Sequence, residues 1–343
     1  MTPVRVLIVD DSAFMRMQFR SFLEGDNRFQ ILGEARDGEE ALKMAQELKP
    51  DVITLDLELP KKNGIEVLRQ IMQTRPVPIL IVSTHAKENA QITLDALQLG
   101  AVDFTTKPAA TQMNEMREIF PVKLLQAAQA KIWRLSSLVK LPPPPSKFHF
   151  PLKSSRLVVI GASIGGPQAL RYLIPQFPSD FSAPILVVQH LPKGYSSKFI
   201  EGLAKESKIL VKEAAPFMSL QGGTAYIAPG GKHLAVNSQK KLILTEDPPV
   251  NSVRPSVDVT LVSSSRIFKK NLIAIILTGM GKDGTKGAIE VKMAGGIVIA
   301  ESEASCVVYG MSKSVIEAGA CDIALPLEKI SGFVMEKLAC QTD

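Results

Sequence analysis

The stretch VRVLIVDD, residues 4–11, decides the first half of the fold. It is a short apolar run that ends in two acids, as a buried strand of a parallel sheet does where it reaches solvent. Four similar runs follow, at residues 30–35, 52–55, 79–82 and 102–104. Helical patterns begin near residues 12, 38, 64, 91 and 113 and separate these runs. The alternation predicts a doubly wound parallel α/β domain over residues 1–125.

A second block of the same alternation begins after a proline-rich break. Four consecutive prolines, Pro142–Pro145, cannot continue a helix and favour an extended chain. They lie in a predicted linker, residues 126–153, in which the last helix of the first domain is expected to run to about Leu138. Residues 154–343 predict a second doubly wound, Rossmann-like α/β domain. An antiparallel excursion is expected near the Gly/Pro-rich residues 221–231.

The composition is that of an ordinary globular protein. The 343 residues are enough for about two domains. Three cysteines without a C-x-x-C pair favour a reducing compartment and argue against a zinc site. The N-terminal stretch reads as neither a signal peptide nor a membrane span, so a cytoplasmic location is expected. The net charge of +6 lies largely in the linker, which we interpret as solvated rather than as a nucleic-acid surface.

Polar residues stand at successive strand ends of the first block: Asp10, Asp11, Asp56, Ser83 and Lys107. The carboxyl ends of parallel strands share one edge, where ligands bind. Three carboxylates there repel one another unless a cation lies between them, and oxygen ligands suit Mg²⁺. The loop after Asp56 is expected to leave its carboxylate exposed. The simplest chemistry is a phosphoryl acceptor with bound Mg²⁺, with Lys107 paired to the phosphoryl group.

This pattern resembles the flavodoxin-like receiver domain of two-component response regulators, from residue 4 to about 125. The resemblance implies that a histidine kinase phosphorylates Asp56 and that Mg²⁺ is the cofactor of that step. It also implies these roles: Mg²⁺ ligands at Asp10, Asp11 and Asp56, a switch hydroxyl at Ser83, an aromatic switch at Phe104 and a phosphoryl contact at Lys107. Thr84 competes with Ser83 for the hydroxyl role.

A second set of polar strand ends lies in RLVVIGASIGGP, residues 156–167, and beyond. Its G-x-S-x-G spacing allows a sharp strand-to-helix turn that presents Ser163, and the N–H groups of the helix start could stabilise an oxyanion. The run APILVVQH ends in His190, and NLIAIILTGMGKDG leads into Asp283. Serine, histidine and carboxylate at three ends of one sheet predict nucleophilic catalysis.

Two other interpretations stay open at this stage. The run GMGKDG also matches G-x-G-x-x-G, with Glu301 at a later strand end, which is typical of a nicotinamide-dependent enzyme. Alternatively, the chain is a response regulator whose output domain only binds, and Ser163 is vestigial.

The motifs together resemble the chemotaxis protein-glutamate methylesterase (CheB) family over nearly the whole chain except residues 126–153. They are IGASIGGPQAL, VVQHLPKGY, YIAPGGKHL, RPSVDVTL and LTGMGKDGTKG. The resemblance implies Ser163 as nucleophile, His190 as general base and Asp283 as its orienting acid, with the oxyanion near Ile164 and Met280. No cofactor is implied for the esterase chemistry.

The same resemblance implies the substrate and partners. The substrate is the glutamyl methyl ester on cytoplasmic helices of chemoreceptors, hydrolysed with release of methanol, and receptor glutamines are deamidated in many family members. The histidine kinase CheA is the implied phosphodonor, and neither nucleic acid nor direct membrane insertion is implied. The unphosphorylated receiver is expected to cover the catalytic cleft.

One position departs from the family pattern. Ile164 stands where the family usually has Thr after the nucleophile, and we expect it to be an exposed apolar residue beside the site. His233, in APGGKHL, is expected in a loop near the cleft, with no role assigned.

Overall fold

The computed structural model describes residues 2–84, 89–108, 113–132, 150 and 155–339. The chain forms two compact units, Met1–Ser136 and Ser137–Asp343. The predicted polyproline segment, Pro142–Pro145, lies outside the described residues. Within the described ranges, no helix has both the length and the apolar character needed to cross a membrane.

The first unit is a five-stranded parallel sheet with strand order β2-β1-β3-β4-β5. Its elements are β1 (Val4–Val9), α1 (Ala13–Leu23), β2 (Phe29–Ala35), α2 (Gly38–Leu48), β3 (Val52–Asp56), α3 (Gly64–Thr74), β4 (Ile79–Ser83), α4 (Asn89–Gln98), β5 (Asp103–Thr106) and α5 (Met113–Ala128). Every residue of β3 and β4 is buried, as strands covered on both faces require. The predicted doubly wound domain is therefore confirmed.

Side-chain caps set where its first helices begin. Ser12 accepts the backbone N–H of Met15, and Asn63 accepts that of Glu66. Such caps satisfy backbone donors that a helix start leaves unpaired. At the other end of the unit, α5 stops at Ala128. The expectation that this helix continues unbroken to about Leu138 is wrong at Gln129, where the chain leaves helical geometry as a turn, and residues 133–138 lie outside the described residues.

The second unit is a seven-stranded parallel sheet with strand order β14-β13-β12-β6-β7-β9-β8, plus a separate two-stranded pair. Its strands are β6 (Leu157–Ala162), β7 (Ile185–Gln189), β8 (Leu210–Glu213), β9 (Thr224–Ile227), β10 (His233–Val236), β11 (Leu242–Thr245), β12 (Leu272–Ile276), β13 (Ile297–Glu301) and β14 (Ile323–Leu325). Its helices are α6 (Gly166–Leu173), α7 (Ser196–Glu206), α8 (Val257–Phe268), α9 (Thr285–Met293), α10 (Met311–Glu317) and α11 (Leu327–Leu338).

The antiparallel excursion lies slightly later than expected. Within residues 221–231, β9 pairs in parallel with β7 and β8, and the antiparallel pair is β10 with β11. The sequence pattern did not predict the short strands β10 and β14.

The strand order places a crevice between β6 and β12. From β6 the chain crosses to β7 on one side, whereas from β12 it crosses to β13 on the other. Such a reversal leaves a cleft beyond the carboxyl ends of the two strands, where ligands of open α/β sheets bind. Ser163 follows β6, and Asp283 lies in the loop after β12, so this topology brings both to the same cleft.

Gly161 in β6 tests how closely the sheet and α8 are packed. A Cβ at this position would lie 2.5 and 2.7 Å from the two methyl groups of Val257, the first residue of α8. We expect Gly161→Ala to lower the free energy of unfolding by about 1–3 kcal/mol through overpacking. The control Gly332→Ala, in α11, meets nothing within 4 Å and should raise stability by up to about 1 kcal/mol. Urea unfolding of both variants checks the signs, and an unchanged Gly161→Ala protein would contradict this packing.

Candidate functional site

The first unit gathers its predicted acidic residues at one sheet edge. Carboxylate oxygens of Asp10, Asp11 and Asp56 lie within 4.8 Å of one another. Lys107 Nζ lies 2.7 Å from Asp56 Oδ2 and 2.9 Å from Asp10 Oδ2. The lysine therefore supplies a positive charge between two of the carboxylates, which reduces the repulsion expected from their proximity.

Asp56 is buried, contrary to the expected exposed carboxylate. Its exposed fraction is 1%. Its Oδ1 accepts the backbone N–H of Glu58, and its Oδ2 accepts Lys107 Nζ, so both oxygens are drawn into the sheet edge. Burial raises the pKa of Asp56 to about 6, against the opposing effect of Lys107, and burial likewise raises the pKa of Asp10. Burial acts to lower the pKa of Lys107, but its pairing with the two carboxylates outweighs this and raises that pKa.

The acidic cluster fits a divalent cation. Asp10 Oδ2 is buried, and its close partner is the Lys107 ammonium at 2.9 Å. Carboxylate oxygens gathered at one point suit Mg²⁺, which prefers oxygen ligands and retains several waters. Asp10, Asp11 and Asp56 are thus the described residues that could hold the metal.

The predicted switch residues lie on the neighbouring strands. Ser83, the last residue of β4, is buried, and its Oγ accepts the hydroxyl of Thr93 at 2.9 Å, a contact the sequence did not reveal. Its carbonyl accepts the backbone N–H of Lys107 at 2.7 Å, which ties it to the cluster. Phe104 is buried within β5, and Thr84 follows Ser83 outside the strand.

In the second unit, Ser163 stands on a tight turn between β6 and α6. Its N–H donates to the carbonyl of Thr278, and its carbonyl accepts the N–H of Gly166. Gly165 has φ +74°, a left-handed conformation that favours glycine. A Cβ on Gly279 would lie 2.7 Å from Ser163 Cβ, so the GMG segment packs directly against the serine. The predicted strand–turn–helix context of the serine is observed.

Ile164 follows Ser163 in the chain, and Met280 follows Gly279, which packs against Ser163. Within the described part of the chain, neither N–H has a hydrogen-bond partner. Two such donors beside a nucleophile can stabilise a developing oxyanion. The side chain of Ile164 is 4% exposed, so the expectation that it is exposed is wrong. Its carbonyl accepts the hydroxyl of Thr278 at 2.9 Å, which draws this turn inward against the end of β12.

His190 and Asp283 form a direct pair. His190 Nε2 lies 2.8 Å from Asp283 Oδ2. A carboxylate only accepts hydrogen bonds, so Nε2 carries the proton and Nδ1 holds the lone pair. Gln189 links this pair to the serine, because its Nε2 donates to the carbonyls of Ser163 (3.0 Å) and His190 (3.2 Å).

Asp283 is held by the start of α8. Its carboxylate accepts the Ser256 hydroxyl (2.6 Å), the N–H groups of Val257 (2.7 Å) and Asp258 (3.2 Å) and the Asn251 amide (3.1 Å). Burial acts to raise the pKa of Asp283, but hydrogen bonds from His190, Ser256 and Val257 outweigh it and hold that pKa below its usual value. The positive end of the helix dipole favours the same anion.

Sequence reasoning missed Gln189, Asn251 and Ser256. Each lies within or beside a quoted motif, but the sequence does not show which group its side chain would bond to, so no role could be assigned to it. Glu301, the acidic residue that the dinucleotide interpretation of GMGKDG requires, is buried, and its Oε2 accepts the N–H of Thr278 at 2.8 Å. This carboxylate is therefore held within the protein and does not face a ligand site.

Comparisons with known proteins agree with this architecture. The family described as CheB methylesterase matches residues 158–334, and the response regulator receiver domain matches residues 6–119. A protein-glutamate methylesterase/protein-glutamine glutaminase of Thermotoga maritima is 45% identical, covering 97% of this chain and 98% of that protein. A Symbiobacterium thermophilum protein of the same name is 41% identical, covering 97% and 96%. The crystal structure of the Thermotoga maritima CheB methylesterase catalytic domain is 48% identical, with a TM-score of 0.53, covering 54% of this chain and 99% of that one.

Fold, sites and comparisons define a response regulator in which a receiver domain and a methylesterase domain share one chain. The chain belongs to the CheB methylesterase family. The predicted fold class and family are thereby confirmed. The boundaries 1–125, 126–153 and 154–343 and the roles of individual site residues stay predictions.

Asp283→Asn should lower stability in a pH-dependent way. We expect the free energy of unfolding to fall by about 2–4 kcal/mol at pH 7, because buried donors lose a charged acceptor. A carboxyl whose pKa is depressed by folding stabilises the protein above its unfolded pKa of about 3.9 and loses that contribution as the pH falls through the folded value. The difference from wild type should therefore be full at pH 7 and shrink below about pH 4.

Urea unfolding at pH 7 and pH 3 measures this difference. Asp247→Asn, an exposed carboxylate in the same unit, is the control and should stay within about 0.5 kcal/mol of wild type. A loss of equal size at both pH values would show that the charge of Asp283 contributes nothing to stability.

Proposed function

We propose that the second unit hydrolyses esters through Ser163, His190 and Asp283. The observation that carries this proposal is the 2.8 Å contact between His190 Nε2 and Asp283 Oδ2. The two residues lie beyond the carboxyl ends of the same sheet as Ser163, which stands on the turn after β6. That contact leaves His190 Nδ1 unprotonated, so Nδ1 is the nitrogen that takes the serine proton. Asp283 acts by fixing the tautomer and stabilising the imidazolium that forms.

The reaction proceeds in two halves. Ser163 Oγ attacks the ester carbonyl while its proton passes to His190, and the carbonyl oxygen becomes an oxyanion near the N–H groups of Ile164 and Met280. Collapse of this intermediate expels the alkoxide, which takes the proton from His190 and leaves as the alcohol. Water then attacks the acyl-enzyme and loses a proton to His190. As the bond between the acyl group and Ser163 Oγ breaks, His190 returns that proton to Oγ, so the acid is released and the serine hydroxyl is restored.

The substrate class follows the names of the relatives. We propose the γ-glutamyl methyl ester on the cytoplasmic helices of chemoreceptors, with methanol as the first product. An amide differs from the ester in its leaving group, so the same acyl-enzyme route accounts for deamidation of receptor glutamine, with ammonia expelled. The paired activity in the names of the 45% and 41% identical relatives supports both reactions.

We propose further that the first unit is the regulator. A histidine kinase of the CheA type transfers a phosphoryl group to Asp56, with Asp10, Asp11 and Asp56 holding Mg²⁺ and Lys107 contacting the new phosphoryl oxygens. When bound, Mg²⁺ neutralises the charge that develops on those oxygens. Ser83 and Phe104 respond to the new charge, and this response raises esterase activity by a population shift. The close placement of Lys107 between Asp10 and Asp56 supports this assignment.

Removal of the triad groups should reduce activity by amounts that are not additive. Ser163→Ala and His190→Ala should each reduce methanol release from methylated receptor membranes by about 10⁴-fold, with Asp283→Asn milder or comparable. The double variant Ser163→Ala/Asp283→Asn should be scarcely worse than Ser163→Ala, because the groups act as a unit. Full release by Ser163→Ala would remove Ser163 as the nucleophile, and no release by the wild type would favour an output domain that only binds. Losses that multiply would remove Asp283 from the triad.

Phosphorylation should depend on one aspartate. Acetyl phosphate with Mg²⁺ should label the wild type and raise its methanol release, and it should do neither in Asp56→Asn. Asp51→Asn is a matched control, because Asp51 precedes the same strand, β3, at its opposite end. It should behave as wild type. Equal labelling of Asp56→Asn would contradict the assignment, and labelling without activation would contradict the regulatory part.

A further inference from the structure

His233 is a buried histidine for which the mechanism above has no use. It begins β10, and its exposed fraction is 1%. Both ring nitrogens have partners. Nδ1 lies 3.2 Å from the backbone nitrogen of Ser256, and Nε2 lies 3.1 Å from the carbonyl oxygen of Pro248.

These two partners fix the form of the ring. A backbone N–H only donates and a carbonyl only accepts, so Nδ1 of His233 must hold a lone pair and Nε2 must hold the proton. A single neutral tautomer satisfies both contacts. Protonation at Nδ1, or the opposite tautomer, would place two donors face to face at Ser256.

Ser256 is the residue through which His233 reaches the hydrolase site. It is fully buried and precedes α8 as its cap, but its hydroxyl does not cap its own helix. Instead the hydroxyl donates to Asp283 Oδ1 at 2.6 Å, and the next two backbone N–H groups donate to the same carboxylate. A continuous series of hydrogen bonds thus joins His233 to Ser256, Ser256 to Asp283 and Asp283 to His190.

We propose that His233 is a positioning residue of the hydrolase site. Its neutral Nδ1 holds the Ser256 N–H and thereby the start of α8, which in turn orients Asp283 toward His190. The inference rests on the proposed ester hydrolysis and adds a residue to it that does not touch substrate.

The physical reason lies in the accuracy that proton transfer needs. If Nδ1 is lost, the buried Ser256 N–H has no acceptor, and the start of α8 must shift or admit water to satisfy it. Any such shift moves three of the donors that hold Asp283 together with it. A displacement of about 1 Å in a catalytic arrangement can reduce turnover by about 100-fold, whereas substrate binding elsewhere is little affected.

Two amide variants distinguish the hydrogen-bond acceptor at His233 Nδ1 from the space that the ring fills. In His233→Asn, the side-chain oxygen comes near the position of Nδ1 and can accept the Ser256 N–H. In His233→Gln, the terminal amide comes near the position of Nε2 and can donate to the Pro248 carbonyl, but no acceptor remains at the Nδ1 position. We expect His233→Gln to reduce kcat by about 10- to 100-fold with little change in KM, and His233→Asn to stay within about 3-fold of wild type.

Ser263→Ala provides a matched structural control. The Ser263 hydroxyl accepts the N–H of Val236, so it also joins β10 to α8 by one hydrogen bond, but it has no link to Asp283. This variant should lower the thermal midpoint while leaving kcat unchanged. If Ser263→Ala lowers kcat as well as the thermal midpoint, then loosening the contact between β10 and α8 in any way is enough to reduce turnover. That result would overturn the role of His233.

The remaining outcomes are equally decisive. Equal kcat values for His233→Asn and His233→Gln, whether both normal or both low, would overturn the proposal. So would a long-range ¹H–¹⁵N NMR spectrum of the wild type in which His233 carries its proton on Nδ1. Failure of the proposed function is a different result, visible in the wild type itself as no methanol release above that of Ser163→Ala.

Discussion

The carboxylate of Asp283 at the start of the helix Val257–Phe268 is the interaction on which the hydrolase site depends. The helix offers N–H groups that have no partner within the helix, and the carboxylate accepts two of them. One of its oxygens also accepts a hydrogen bond from His190 Nε2. A buried anion is tolerable only when its lone pairs are satisfied, so the helix start both permits this charge and fixes where it points.

The two units treat buried carboxylates in opposite ways. Around Asp283 the donors are numerous and neutral, and the pKa lies below its usual value, so the group stays anionic beside His190. Around Asp56 the donors are only one backbone N–H and the Lys107 ammonium, and burial raises its pKa to about 6. A carboxylate with many donors suits a permanent electrostatic role. A carboxylate with few donors suits a site that takes up further charge, as phosphorylation with a divalent cation would require.

Sequence patterns recovered the strand ends more readily than the contacts beyond them. Asp10, Asp56, Ser163 and His190 all follow or end a buried strand, and parallel topology alone brings such positions to a common edge. The errors were of another kind. Ile164 was expected to be exposed. The hydroxyl of Thr278, 114 positions away, donates a hydrogen bond to the Ile164 carbonyl and draws that turn inward, and no sequence pattern indicates this contact.

The sequence by itself determined the two parallel sheets, their order along the chain and the residues at their carboxyl ends, because strand and helix periods are local properties. Only the tertiary structure decided which nitrogen of His190 faces Asp283 and that a series of hydrogen bonds joins His233 to Asp283 through Ser256. Those facts depend on hydrogen bonds between segments far apart in the chain. Whether such a polar side chain is solvated, structural or part of a site is set by its partner, and the fold alone supplies that partner.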